Sequence, residues 1–161
     1  MIDEKYYLAE INIALMRAPL DDPIMADFVN NLESINALAD SAPGFVWRLQ
    51  TEAGDATSLR VFENEYIIVN MSVWESIDTL FTYVYGSDHT NFFRRRAEWF
   101  QKLDMPVLVL WWIPAGHIPT VEEAKARLEY LRERGPTPLA FTFKRRFTIE
   151  QMLEQTQQNP A

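Results

Sequence analysis

"YIIVNMSVWESIDTLFTYV", residues 66–84, changes its hydrophobic period halfway along. Through Trp74, the residues Tyr66, Ile68, Asn70, Ser72 and Trp74 alternate with Ile67, Val69, Met71 and Val73, the two-residue period of a strand with side chains on both faces of a sheet. From Ser76, an N-cap residue type, Ile77, Leu80, Phe81 and Val84 return at helical spacing. A strand that is apolar on both faces, followed at once by an amphipathic helix, needs cover on two sides. The rest of the chain has to supply it.

Upstream, "YYLAEINIAL" (residues 6–15) reads as a first strand whose polar positions are Glu10 and Asn12. Asp22 and Pro23 are an N-cap and first-turn pair, and Phe28, Leu32, Ile35 and Leu38 then mark a helix running toward Asp40. "APGFVWRLQ" opens a second strand on a Pro-Gly turn, and "TEAGDATSL" is a polar excursion before residue 66. Downstream, Gly86 interrupts the second helix and a new segment begins near Asp88. There His89, Phe92, Phe93, Arg96, Trp99, Phe100 and Leu103 fall on one continuous helical face.

"VLVLWWIPAGHIPT" (residues 107–120) is the next strand and loop, with Trp111 and Trp112 on opposite faces. A helix follows, with Thr120 and Glu123 as a capping box and Gly135 as its stop. "PLAFTFKRRF" reads as a last edge strand with protective charge.

The order is β-α-β-β-α-β with an appended α-β. This is an α+β, ferredoxin-like split β-α-β sandwich in one domain, residues 1–147, with a polar C-terminal tail, 148–161. Helices for only one face of a doubly apolar sheet predict that a second subunit's sheet covers the other, giving a homodimer, a dimeric α/β barrel.

With 161 residues, 48% of them hydrophobic, the chain buries about two-thirds of its unfolded surface, enough for one core. A formal charge of -8 repels phosphate backbones and anionic headgroups, so neither nucleic acid nor membrane is an expected partner. The absence of cysteine, with two histidines, argues against thiol chemistry and a metal centre. The start has no signal-like segment and no apolar run reaches roughly 18 residues, which predicts a cytoplasmic protein.

"NMSVWESIDTLFTYVYGSDHTNFFRRRAEWF", "LWWIPAGHIPTVEEA" and "GPTPLAFTF" resemble a bacterial family of unknown function in the dimeric α/β-barrel superfamily, related to the antibiotic-biosynthesis monooxygenases. The likeness spans roughly Tyr7 to Phe143. It implies a small-molecule protein that is either a cofactor-independent, monooxygenase-like oxidoreductase, a non-catalytic dimer or a haem binder. In the haem-degrading branch an asparagine, a tryptophan and a histidine occupy places comparable to Asn12, Trp74 and His89.

Read from the residues, His89 and Arg96 are the catalytic candidates: an imidazole that can serve as a base near neutrality, and a guanidinium that needs an anion on an apolar face. That anion is either Glu10 or a ligand phenolate. Asn12, Asn70 and Ser72 place polar groups on apolar strands, where they either hold a ligand or satisfy one another. Trp74, Phe93 and Trp99 are candidate walls for an apolar or aromatic small molecule, and Trp47 shares their alternative role as core filling. His117 is read as a loop-fixing residue with no carboxylate spaced to orient it. The expected chemistry is proton abstraction by His89 with Arg96 and Asn70 stabilising the oxyanion.

Overall fold

A computed structural model describes residues 4–50, 62, 64–87 and 89–158. Strand β1 (Tyr6–Met16) leads through a 3-10 turn, Pro23–Met25, into α1 (Ala26–Asp40). The Asp22 side chain caps that turn by accepting from the Ile24 amide at 3.0 Å. β2 (Phe45–Arg48) and β3 (Ile67–Trp74) follow, then α2 (Ile77–Gly86), two short helices α3 (His89–Arg94) and α4 (Arg96–Trp99), and β4 (Phe100–Gln101). β5 (Leu108–Pro114), α5 (Val121–Arg134) and α6 (Ile149–Gln158) complete the order.

β3 lies between β2 and β1, and β5 flanks the other side of β1, with every pairing antiparallel. β1 and β2 therefore run parallel with β3 inserted between them, the split β-α-β of a ferredoxin-like α+β fold. β4 extends the β1 edge at Leu15 and Met16.

The two faces of the sheet are both covered from within the chain. On one, Ala9, Ile11, Ile13, Val69, Met71, Val73, Val109, Trp111 and Ile113 pack against Ala124, Leu128 and Leu131 of α5, with Trp47 at the margin. On the other, Leu8, Trp74 and Leu110 meet Ala39 at the end of α1, Leu80 of α2, and Phe141 and Phe147 beyond α5. The premise that one face lacks helices is thus corrected. The appended helix α5 folds back beneath the sheet, and Trp111, on the face opposite to Trp112 as expected, is fully buried against it with its indole N–H donating to Glu123 Oε2 at 3.0 Å.

Two further expectations change. "PLAFTFKRRF" forms no strand beyond isolated bridges, Phe141 with Leu110 and Ala140 with Thr137, because Pro136 just ahead of it and Pro138 at its start lack the N–H that a ladder needs. The face from His89 to Leu103 is not continuous either. The helix breaks at Arg95 (φ -88°, ψ 2°), and Phe100 is already extended, paired with Met16. Residues 149–158 of the C-terminal tail, for which the sequence allows a frayed helix or disorder, are helical with Met152 buried.

The capping logic holds where side chains could declare it. Ser76 and Thr79 form a reciprocal capping box on α2, Thr120 accepts from the Glu123 amide, and Gly135 ends α5 at φ 73°.

Candidate functional site

The face under α1 and α2 is not uniformly apolar. Glu10 pairs across the sheet with Ser72, and Asn12 with Asn70, so four polar side chains stand side by side on the two central strands. Arg48 of β2 is opposite Ser72, and Leu110 of β5 opposite Glu10, which extends the row across four strands. Leu8, Trp74 and Leu110 bound this band at one end. Met16, Ile68 and Trp99 bound it at the other, with Ala14 against them.

Glu10 is the centre of the band and only 3% exposed. Its Oε1 accepts the Ser72 hydroxyl at 2.7 Å and its Oε2 the Asn12 amide at 2.9 Å. Ser72 Oγ in turn accepts the Trp74 indole N–H at 2.8 Å. Burial disfavours the ionised carboxylate more than these two neutral donors favour it, and the pKa is pushed up to about 7. Asn70, by contrast, is exposed although it sits on a central strand, so the band opens at that position.

The wall above comes from α2 and α3. The Tyr83 ring lies 5.1 Å from Trp74 and 4.8 Å from His89, centroid to centroid, and its hydroxyl donates to Ile35 O of α1 at 3.1 Å. Burial raises the Tyr83 pKa, with the Glu10 charge adding to it. His89 opens α3 just past the end of α2, with its backbone amide on Ser87 Oγ and its Nδ1 3.3 Å from Val84 O. A carbonyl only accepts, so Nδ1 carries the proton and Nε2 the lone pair. Burial lowers the His89 pKa below its ordinary value, which keeps the ring neutral at pH 7.

Of the residues singled out from the sequence, Asn12, Asn70, Ser72 and Trp74 share this face, and His89 reaches its wall through Tyr83. Phe93 stacks on the outer side of His89 at 6.5 Å. Trp99 packs among Phe28, Phe92 and Phe100 in the far cluster. Arg96 is separated from the set. It is exposed, donates to Phe93 O and lies 4.0 Å over the Phe93 ring, so the expected pairing with Glu10 does not form. The helix break at Arg95 turned it outward.

Glu10 as the central acid, Arg48 and Tyr83 were missed as site residues. Glu10 did leave a signal, a carboxylate at an inward position of the first strand. Arg48, whose Nε is 2.7 Å from Asp40, and Tyr83 left only their periodicity. His117 also changes meaning: its Nε2 is 2.7 Å from Glu123 Oε1, a carboxylate six residues on, and this pair ties the loop to the first turn of α5. Among the described residues no three potential metal ligands cluster, and no helix is long and apolar enough to cross a membrane.

The family model described as "Domain of unknown function (DUF3291)" matches residues 7–157 of the chain. No match is found among curated proteins. Among solved structures the chain is similar to a protein of unknown function from Nitrosomonas europaea, at 11% identity and TM-score 0.45, covering 73% of this chain and 98% of that one. It is also similar to a protein from Pseudomonas aeruginosa, at 12% and 0.44 with 73% and 100% covered. A third, from Nitrosomonas europaea, is named "Putative antibiotic biosynthesis monooxygenase", at 12% and 0.42 with 73% and 95% covered.

Proposed function

We propose that this chain, which belongs to the DUF3291 family of unknown function, binds a small, largely apolar molecule with a weakly acidic O–H or C–H group and exchanges a proton with it at Glu10. The observation that carries this reading is the setting of that carboxyl: it is buried and, among the described residues, bonded to the neutral donors Asn12 and Ser72, and burial pushes its pKa up to about 7. A base poised near the working pH takes and returns a proton with little bias either way. The exposed Asn70 beside it supports access for a ligand, and the rings of Trp74 and Tyr83 support an aromatic or enolisable one.

As an enzyme, the protein would follow the monooxygenase-like route that its sequence resemblance implies. Glu10 removes the proton, Asn12 and Asn70 amides steady the resulting oxyanion, and the electron-rich phenolate or enolate is the species that dioxygen oxidises. His89 Nε2 is a second, neutral acceptor at the wall. Arg96 has no part in this version, since it faces solvent.

The non-catalytic reading has its own support: no buried side-chain nitrogen or oxygen among the described residues lacks a partner, so the band is satisfied without a ligand. For haem, the supporting feature is the lone pair on His89 Nε2, the atom that would hold the iron. A homodimer would use a surface other than the part of the sheet that α5 covers.

The test is ligand-observed NMR with a panel of small phenols and 1,3-dicarbonyl compounds against wild type, Glu10→Gln and Asn70→Trp. Binding to wild type, loss of the preference for acidic members in Glu10→Gln and occlusion in Asn70→Trp are expected. Binding that neither substitution alters would defeat the proposal. A hemin titration run alongside favours the haem reading if a Soret shift appears and vanishes in His89→Ala.

A further inference from the structure

The outer surface of α2 and α3 carries aromatic rings that the candidate site does not use. Phe81 and Tyr85, one turn apart on α2, are 39% and 43% exposed and stand 4.7 Å from each other, centroid to centroid. Phe143 meets Phe81 edge-on at 5.6 Å, and Phe93 meets Tyr85 at 5.5 Å, so four rings from three segments make one patch. The Arg146 guanidinium lies 5.1 Å over Phe81, and Arg96 lies 4.0 Å over Phe93. Lys144 and Arg145, exposed, flank Arg146 in sequence. The adjoining face of α2 borders a hollow of about 340 Å³ whose lining includes Ala42, Pro43, Thr82, Tyr83 and Gly86 together with the acidic Asp78.

Aromatic rings and arginines, rather than lysines or aliphatic residues, are what concentrates binding energy at protein interfaces, above all beside a pocket that can take an anchoring side chain. Charge selects the kind of partner. The chain as a whole carries -8, yet this patch is cationic, with Asp78 the acid in contact at 3.5 Å from Arg146. A second copy docked patch to patch would set arginine against arginine, and a hollow beside the rings that takes one side chain suits a polypeptide rather than a nucleic acid or a membrane.

We propose that this patch is a docking surface for an acidic protein segment with an apolar anchor residue. Its carboxylates pair with Arg96 and Arg146, displacing those guanidinium groups from Phe93 and Phe81 or sandwiching them there, and the anchor enters the hollow beside α2.

The experiment uses the full chain and fluorescence anisotropy of short labelled peptides rich in Asp and Glu, each with one Leu, Phe or Trp. Lysine-substituted counterparts, a single-stranded oligonucleotide and phosphatidylserine vesicles are run in parallel. The acidic peptides are expected to bind with an affinity that falls with added salt and drops about tenfold in Arg146→Glu and in Phe81→Ala. Both sites are exposed, and circular dichroism checks that the variants stay folded. Failure of every acidic peptide to bind, equal binding of the lysine counterparts, preference for vesicles or oligonucleotide, or an unchanged affinity in Arg146→Glu would overturn the proposal.

Discussion

Glu10 and Ser72 face each other across the β1–β3 pair, and the hydroxyl of one donates to the carboxylate of the other at 2.7 Å inside the sheet-helix interface. That contact links fold and candidate chemistry, because the same register that aligns the two strands holds a carboxylate out of water.

Ionising Glu10 in the folded protein costs free energy. Its folded pKa of about 7 exceeds the ordinary 4.5, so the associated stability is fully present below pH 4.5 and is lost as the pH rises through 7. Glu10→Gln removes this dependence. Urea unfolding is expected to show the variant gaining about 2–3 kcal/mol on wild type between pH 5 and pH 8. A difference that stays constant across that range contradicts the assignment.

His89 titrates in the opposite sense. A base with a lowered folded pKa loses stability as the pH falls below the unfolded value near 6.5, since the unfolded chain binds the proton first. Histidine NMR should show the His89 ring neutral at pH 6.5 as the Nδ1–H tautomer. His89→Phe should flatten the acid side of the stability profile.

Glu123 accepts from Trp111 and contacts His117, bringing a fully buried indole and a half-exposed imidazole onto one carboxylate. Glu123→Ala leaves the buried indole N–H without a partner and is expected to cost about 2 kcal/mol, with a shift in tryptophan fluorescence. His117→Ala, at a site with 43% side-chain exposure, should cost less than about 1 kcal/mol in the same denaturation assay.

Gly44 and Gly116 both have positive φ, 81° and 93°, but different surroundings. A Cβ on Gly44 would come within 2.4 Å of Thr79 Cγ2, the capping-box residue of α2, whereas one on Gly116 meets nothing within 4 Å. Gly44→Ala should therefore lose about 3 kcal/mol or more, and Gly116→Ala about 1 kcal/mol, by thermal unfolding.

Much of the fold was legible because local chemistry declares itself: Asp22, Ser76 and Thr120 cap the elements that follow them, and the alternation in residues 66–74 sets a strand buried on both faces. The position of α5 was not legible. Its apolar residues Ala124, Leu128 and Leu131 are few among charges, and nothing local says that they return beneath β1 and β5. The break at Arg95 was hidden too, since no glycine or proline marks it; it is set by Phe100 joining the β1 edge and by Arg95 pairing with Asp27 and Glu98. That single break moved Arg96 from the expected site to the surface. Strand periodicity places Asn12, Asn70, Ser72 and Trp74 on one sheet face, as the register shows, whereas the informative feature of Glu10, its burial, has no local signature in the sequence.

The most direct measurement is the side-chain carboxyl ¹³C shift of Glu10 against pH, with and without 2-naphthol as a weakly acidic aromatic probe. A midpoint near 7 that moves when the naphthol binds is the predicted result. A midpoint in the ordinary carboxylate range, or one near 7 that saturating naphthol leaves in place, would contradict a proton-exchanging groove at Glu10.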